Sequence, residues 1–441
     1  MRRVVILALL YTAMQLVLPL GAAGHGSETL LAFGFLIVAA YTTGELLSAV
    51  GLPRIVGYMA AGMLFGPSAL GTVSANAVNA LTPVSSLAIA LIAFLAGAEL
   101  RWGEVREHGI AILKILGVEM CVTFVCIVAL LIGLQRWVPF LSDATGVEEV
   151  VVLAVVFAAM AVVHSPAVTM ALLNETGARG PVARTTLGVV LVSDVMVVLF
   201  FSIALALARS VVPASSTTAA VSIGAVLKEL VGALIVGAAL GGAVALYLRM
   251  VKHELFLFAI LVTVFGAEIA GLLHIEALLT LLVAGFVTEN TSRTSDAAAL
   301  RTAMERSAAP VFVVFFALAG AAISLESLAS VWPLIIPIVL VRAGGIWIGT
   351  RLGARWARVS PLEARYTWMG LISQAGVAVG LAAVLSSVYP VRGASMRTIF
   401  LAALAVNQLI GPVLFRRALS RAGEVSPSSA APDEGALPAA S

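Results

Sequence analysis

The sequence predicts an all-α polytopic membrane protein of about thirteen spans, arranged as two inverted six-helix repeats. Three observations carry that expectation. Of 441 residues, 61% are hydrophobic and only 11% are charged, with a mean hydropathy of +1.09, whereas soluble domains hold about 25% charged residues. Apolar runs near the length that a helix needs to cross a bilayer, about 20 residues, recur along almost the whole chain. Polar interruptions then fall inside two runs that occupy matching places in the two halves.

Residues 1–26 open Met1-Arg2-Arg3, run apolar to Leu20 and reach Gly21-Ala22-Ala23-Gly24. This is the pattern of a signal peptide, and it reads equally well as an extra N-terminal helix. The membrane domain covers 27–419. Its spans fall near 29–49, 54–71, 82–100, 109–134, 148–173, 182–208, 221–248, 255–273, 276–290, 308–325, 331–350, 365–388 and 394–415. Residues 27–208 form the first repeat, 221–248 a linker helix and 255–419 the second repeat. One odd linker between two sets of six reverses the second set in the membrane. The 39 glycines suit close helix packing in lipid. Residues 424–441, rich in Pro, Ser, Ala and Gly without an apolar period, are expected to be a disordered cytoplasmic tail.

Orientation follows from the 26 lysines and arginines. An outside start for the first span leaves Arg136, Arg209, Lys228, Arg392 and Arg397 outside and most of the others inside. That asymmetry sets the C-terminus in the cytoplasm, and a bacterial inner membrane is the expected location.

Two short runs carry the candidate chemistry. His164-Ser165-Pro166 lies mid-span in 148–173, where proline removes a backbone hydrogen bond. Asp194 follows Ser193 in the next span, the one charged residue between Thr185 and Ala208. A carboxylate within a span is costly and by default functional, and a broken helix beside it is how transporters build ion sites. Such an acid can exchange a proton for a monovalent cation. Ser165, Thr169 and Ser193 offer oxygens to a hard cation, although mid-span hydroxyls also bond back to their own helix. His164 titrates near neutral pH in its ordinary state or satisfies freed carbonyls. Ser373-Gln374-Ala375-Gly376 interrupts 365–388, the counterpart of the first interrupted span. Arg342, inside the apolar stretch 334–348, stays charged and has to face a cavity, a carboxylate or helix C-terminal carbonyls. Glu119 occupies the corresponding span of the first half, and either compensates Arg342, lines the cavity or serves packing.

Longer runs resemble a known family. Leu52-Pro53-Arg54-Ile55-Val56-Gly57-Tyr58-Met59-Ala60-Ala61-Gly62-Met63-Leu64-Phe65-Gly66-Pro67-Ser68 resembles the LPxxxGYxxAGxxxGPS run of monovalent cation:proton antiporters of the Kef-type and sodium/proton exchanger superfamily. Phe94-Leu95-Ala96-Gly97-Ala98-Glu99-Leu100 is similar to their FxxGLEL stretch, with Ala98 in place of Leu, and Phe315-Phe316 with Gly320 to their FFxxxG segment. The resemblance spans about 29–419. It implies a homodimer whose core crosses two discontinuous helices beside a carboxylate, with Asp194 as the ion-binding aspartate and Arg342 as the basic residue of the site. The chain departs from the pattern where electrogenic members carry Asp-Asp, here Ser193-Asp194, and at His164-Ser165-Pro166. No nucleotide-binding regulatory domain is expected after the last span.

The function expected is therefore antiport of protons against Na⁺ or K⁺, one for one, by alternating access. A K⁺ efflux channel-like pathway and a sodium-coupled organic-solute symporter are the alternatives. The first would not need Asp194, and the second would want a polar solute pocket. No catalytic triad, metal-ligand cluster or phosphate loop is present, so neither an enzyme nor a cofactor is expected. The cysteines, Cys121 and Cys126, sit five apart in one span and suggest no disulfide. Partners are the cation, the proton and the bilayer, with no nucleic acid.

Overall fold

The computed structural model describes residues 2–17, 25–142, 144, 146–212, 223–250, 255–273, 275–374 and 377–426. Among these, every regular element is an α-helix. α1 (Arg2–Val17) packs on α2 (His25–Ala49), and Arg3 pairs with Glu45 at 3.2 Å. The segment read as a signal peptide or extra helix is thus helical over α1, and 18–24 lie outside the described residues.

α3 (Arg54–Phe65) stops six residues short of the span expected to reach 71. The cause is local. Pro67 disfavours helical backbone at the residue before it, so Gly66 turns extended and its N–H closes back on the Gly62 carbonyl at 2.8 Å. The short α4 (Ala75–Ala80), which the apolar pattern does not signal, leads into α5 (Thr82–Ala98). α6 (Trp102–Gly133) and the one-turn α7 (Pro139–Ser142) follow. The expected fifth span is two half-helices, α8 (Val147–Ala161) and α9 (Pro166–Thr176), and α10 (Pro181–Val211) carries Asp194.

The chain continues through α11 (Ile223–Met250), α12 (Leu255–Leu273), α13 (Ala277–Thr291), α14 (Thr294–Ala321) and α15 (Leu325–Ala357). The span expected at 365–388 is again split, into α16 (Pro361–Gly370) and α17 (Val377–Val388), before α18 (Pro390–Ala422). Seven helical stretches among the described residues, Pro181–Ala208 and Leu325–Ala357 included, are long and apolar enough to cross a membrane; shorter apolar helices such as Thr82–Ala98 and Ala277–Thr291 fill the remainder.

Two apolar cores divide the bundle. One is centred on α2, α3, α5 and α14, with Phe65, Phe94 and Phe316 buried in it. The other joins α6, α8, α10, α15 and α18 around Phe140, Phe157 and Phe400. We call them scaffold and core. In lipid, helices associate by close van der Waals packing, which favours small residues at the contact. Gly62 lies against the Ala317 carbonyl while Gly320 lies against that of Met59; Gly285 meets the Phe94 carbonyl while Gly97 meets that of Leu282. Any side chain at these four positions would strike backbone. Gly345, Gly349 and Gly353 of α15 likewise let it run antiparallel against Thr123, Glu119 and Ile115 of α6.

At one end of the bundle the two parts are tied. The Arg54 amide, at the start of α3, donates to the Glu175 carboxylate of α9 at 2.9 Å, and the Arg416 guanidinium of α18 donates to the Leu52 carbonyl at 2.7 Å. There too the tail expected to be disordered begins docked: Val182 and Ala183 amides both donate to Glu424 at 2.8 Å, so the tail caps α10, while 427–441 lie outside the described residues. At the other end a cavity of about 700 Å³ opens between α5, α14, α17 and α18, lined by Thr82, Ser85, Phe315, Arg397, Thr398 and Gln408 among others.

Candidate functional site

The two helix breaks are the first part of the site. Pro166 takes the first position of α9, where its missing N–H is no loss. Ser165 caps that helix, its hydroxyl accepting from the Val168 amide at 3.2 Å. The break leaves the carbonyls of Ala161 and Val163 without helical partners, and the break after Gly370 does the same near Ile372. Arg342 on α15, only 1% exposed, answers both: Nε donates to Ala161 O at 2.6 Å, Nη2 to Val163 O at 2.7 Å and Nη1 to Ile372 O at 2.7 Å. Of the environments weighed for this arginine, the structure places it against helix C-terminal carbonyls, the negative ends of two half-helix dipoles. The planar fork of guanidinium donors can serve three acceptors at once, which an ammonium does less well.

The remaining polar groups complete the same crossing. Gln374 donates to Ala161 O at 3.1 Å and accepts from Asn407 of α18 at 2.8 Å. His164 Nδ1–H donates to Leu371 O at 2.6 Å, and its Nε2 lies 3.1 Å from Glu119 Oε2, both side chains fully buried. Because a carbonyl only accepts, Nδ1 carries a hydrogen. Thr123 donates to the other Glu119 oxygen at 2.8 Å. Glu119 was expected as a possible partner of Arg342; it pairs with His164 instead, because the carbonyls already occupy the guanidinium. Ser373 is buried at the second break against Gly411, and Gly376 lies outside the described residues.

Asp194 is the second part, and it stands apart. It is 8% exposed, and among the described residues neither carboxylate oxygen has a hydrogen-bond partner. Four residues expected to share its ion are engaged elsewhere. Ser193 donates to Val190 O at 2.7 Å, Thr169 to Ser165 O at 3.0 Å, Ser165 caps α9, and His164 belongs to the crossing. Each hydroxyl has a nearer carbonyl or amide on its own helix. Asp194 faces instead a cavity of about 20 Å³ closed by Leu191 and Val198 of α10, Leu230 of α11, and Leu279 and Glu276 of α13. Glu276 is the first residue of the span expected at 276–290, and nothing in the sequence marks it as a neighbour of Asp194. Asn407 was missed as well, since nothing in an apolar pattern marks it as the partner of Gln374.

Comparison with known proteins bears on what this arrangement is. A family model described as sodium/hydrogen exchanger, transmembrane, matches residues 29–420. A search of curated proteins finds no match. Two structures of the sodium proton antiporter MjNhaP1 from Methanocaldococcus jannaschii share the fold. One, at pH 8, has a TM-score of 0.63 at 14% identity, covering 90% of this chain and 97% of that one. The other, an electron-microscopy structure, has a TM-score of 0.69 at 15% identity, covering 90% and 98%. A membrane bundle with two broken helices bound around a buried arginine, matched over nearly its whole length, belongs to the sodium/hydrogen exchanger family of proton-coupled cation antiporters.

Proposed function

We propose that this chain exchanges one proton for one monovalent cation, Na⁺ or K⁺, by alternating access, with Asp194 as the group that carries either. The observation that carries the reading is Asp194 itself, buried, with both oxygens unpartnered and facing a small cavity. An acid in that position gains by holding a proton or a cation, and loses by holding neither. Arg342 and the His164–Glu119 pair hold the crossing while the acid exchanges its load.

Alternating access is supported by the two ends of the bundle. The Glu175–Arg54 and Arg416–Leu52 contacts close the end we assign to the cytoplasm, and the 700 Å³ cavity opens the other. The repeat reading is supported by the glycine contacts: Gly62 and Gly285 are as far apart in sequence as Gly97 and Gly320, and as Glu119 and Arg342. We place 27–208 and 255–419 as inverted repeats joined by α11, in a homodimer of the cell membrane.

Electroneutrality follows if Asp194 alone exchanges, because Ser193 stands where a second acid of the core would be. The test is cation-driven pH change in proteoliposomes, with Na⁺ and then K⁺, the Na⁺-driven measurement being repeated with valinomycin and equal K⁺ on both sides to clamp the potential. Exchange at equal rates under both conditions is expected. A rate that rises several-fold under the clamp refutes one-for-one exchange, and cation conduction without proton flux would favour the channel-like reading.

A further inference from the structure

The acid facing Asp194 across its cavity comes from the opposite half of the bundle. Glu276 is the N-cap of α13, on the scaffold side, whereas Asp194 rides on α10. Both line the same cavity of about 20 Å³, whose other walls are the leucines and valine named above. A space of that size admits one water-sized particle, so a bare Na⁺ fits and an organic solute does not. Apolar walls leave the two carboxyl groups as the oxygens of the cavity, and carboxylate oxygen is the ligand a hard cation prefers.

We propose that Glu276 is a second ligand for the transported cation, contributed by the scaffold and meeting Asp194 at a shared site. The inference rests on the antiport reading above and names a group that reading does not include. Its carboxylate accepts from the Leu279 amide, with the Leu278 amide also against it, and so caps α13 while lining the cavity beside Asp194. Because the carboxylate is bound to the helix terminus, Glu276 stays in place while Asp194 leaves with the core, which makes the site complete in one state of the cycle and open in the other. Two acids in one poorly solvated space repel each other unless a proton or a cation lies between them, and that is the occupancy an exchanger needs to enforce. The other charged groups close by are Glu229 and Lys228 of α11, immediately before Leu230. Glu229 acts on Glu276 through space and adds to the negative charge that a cation in the cavity feels.

The decisive variant is Glu276→Asn, because asparagine is as good a helix cap as any residue yet carries no charge. Measured in proteoliposomes with whichever of Na⁺ and K⁺ drives the wild type, half-saturation should rise on the order of tenfold, the weight of one partly solvated charge contact. Maximal rate should stay within about twofold of the wild type, since Asp194 still carries the exchanged charge. Cation-dependent thermal stabilisation in detergent should move to higher concentration by the same factor, and Glu276→Asp should recover most of the loss. Unchanged half-saturation in a folded Glu276→Asn protein overturns the inference. Glu276→Gln, read the same way, serves if the asparagine variant does not insert. Asp194→Asn run beside it separates the two claims: exchange surviving Asp194→Asn sinks the antiport reading, whereas a silent Asp194→Asn with an unaffected Glu276→Asn sinks only the scaffold ligand.

Discussion

The crossing and the Asp194 cavity are both buried and both charged, and they treat charge in opposite ways. At the crossing, Arg342 spends three donors on three carbonyls, and His164, Glu119, Gln374 and Asn407 all have partners between 2.6 and 3.1 Å. At Asp194 nothing is spent, since neither oxygen has a hydrogen-bond partner among the described residues. A satisfied polar network in a low dielectric fixes one geometry, while an unsatisfied charge invites a ligand. The first region therefore sets the shape of the broken helices, and the second is where a travelling ion is to be held. A fully partnered Asp194 would be a better structural element and a worse carrier.

The largest test of that contrast pairs two substitutions. Arg342→Ala orphans two buried carbonyls, Val163 O and Ile372 O, at roughly 1–3 kcal/mol each, and leaves Ala161 O to Gln374 alone, so a loss of several kcal/mol and a lowered Tm in detergent are expected together with loss of exchange. Asp194→Asn should reduce exchange to background while leaving Tm unchanged or raised, because it removes a charge that has no partner to lose. Fluorescence-detected melting alongside proton flux distinguishes the pair. A stable Arg342→Ala protein, or an Asp194→Asn protein that no longer inserts, would collapse the distinction.

Much of this division is visible in the sequence, unevenly. The break at 162–165 is legible because Pro166 announces it. The break after Gly370 is legible only as polar residues in an apolar run, and only by matching it to the first. Arg342 stands out from the hydropathy of its span, but its choice of carbonyls over Glu119 depends on how closely α15 lies against α6, which glycine spacing permits and does not reveal. The His164–Glu119 pair joins residues 45 apart, one in the break and one on α6, and no period encodes it. Glu276 was hidden for another reason. Its position at the start of a short helix reads as a surface cap, and only packing of α13 against α10 and α11 brings that cap to the acid. Hydropathy finds charges in the membrane; it does not find their partners.

The smallest effects belong to the hydroxyls, and they sharpen the comparison because the three residues look alike in sequence. Ser165 is a cap at the crossing: its hydroxyl holds the Val168 amide at the start of α9. Ser165→Ala should cost about 1 kcal/mol, the usual worth of an N-cap, and exchange should fall with it as the half-helix frays. Ser193 sits next to Asp194, yet its hydroxyl donates to Val190 O within α10 and takes no part in the cavity. Ser193→Ala should therefore leave stability within about 0.5 kcal/mol of the wild type, as for a substitution that orphans nothing, and half-saturation for the cation unchanged. Thr169, bonded to Ser165 O at 3.0 Å, should behave like Ser193 under Thr169→Val, since the carbonyl keeps the Thr169 amide at 3.2 Å. Thermal melting and cation titration of the three variants side by side read the result. If Ser193→Ala raises half-saturation several-fold while Ser165→Ala does not, the hydroxyl beside Asp194 turns toward the ion during the cycle, and the division between a spent crossing and an unspent acid would have to be redrawn to include it.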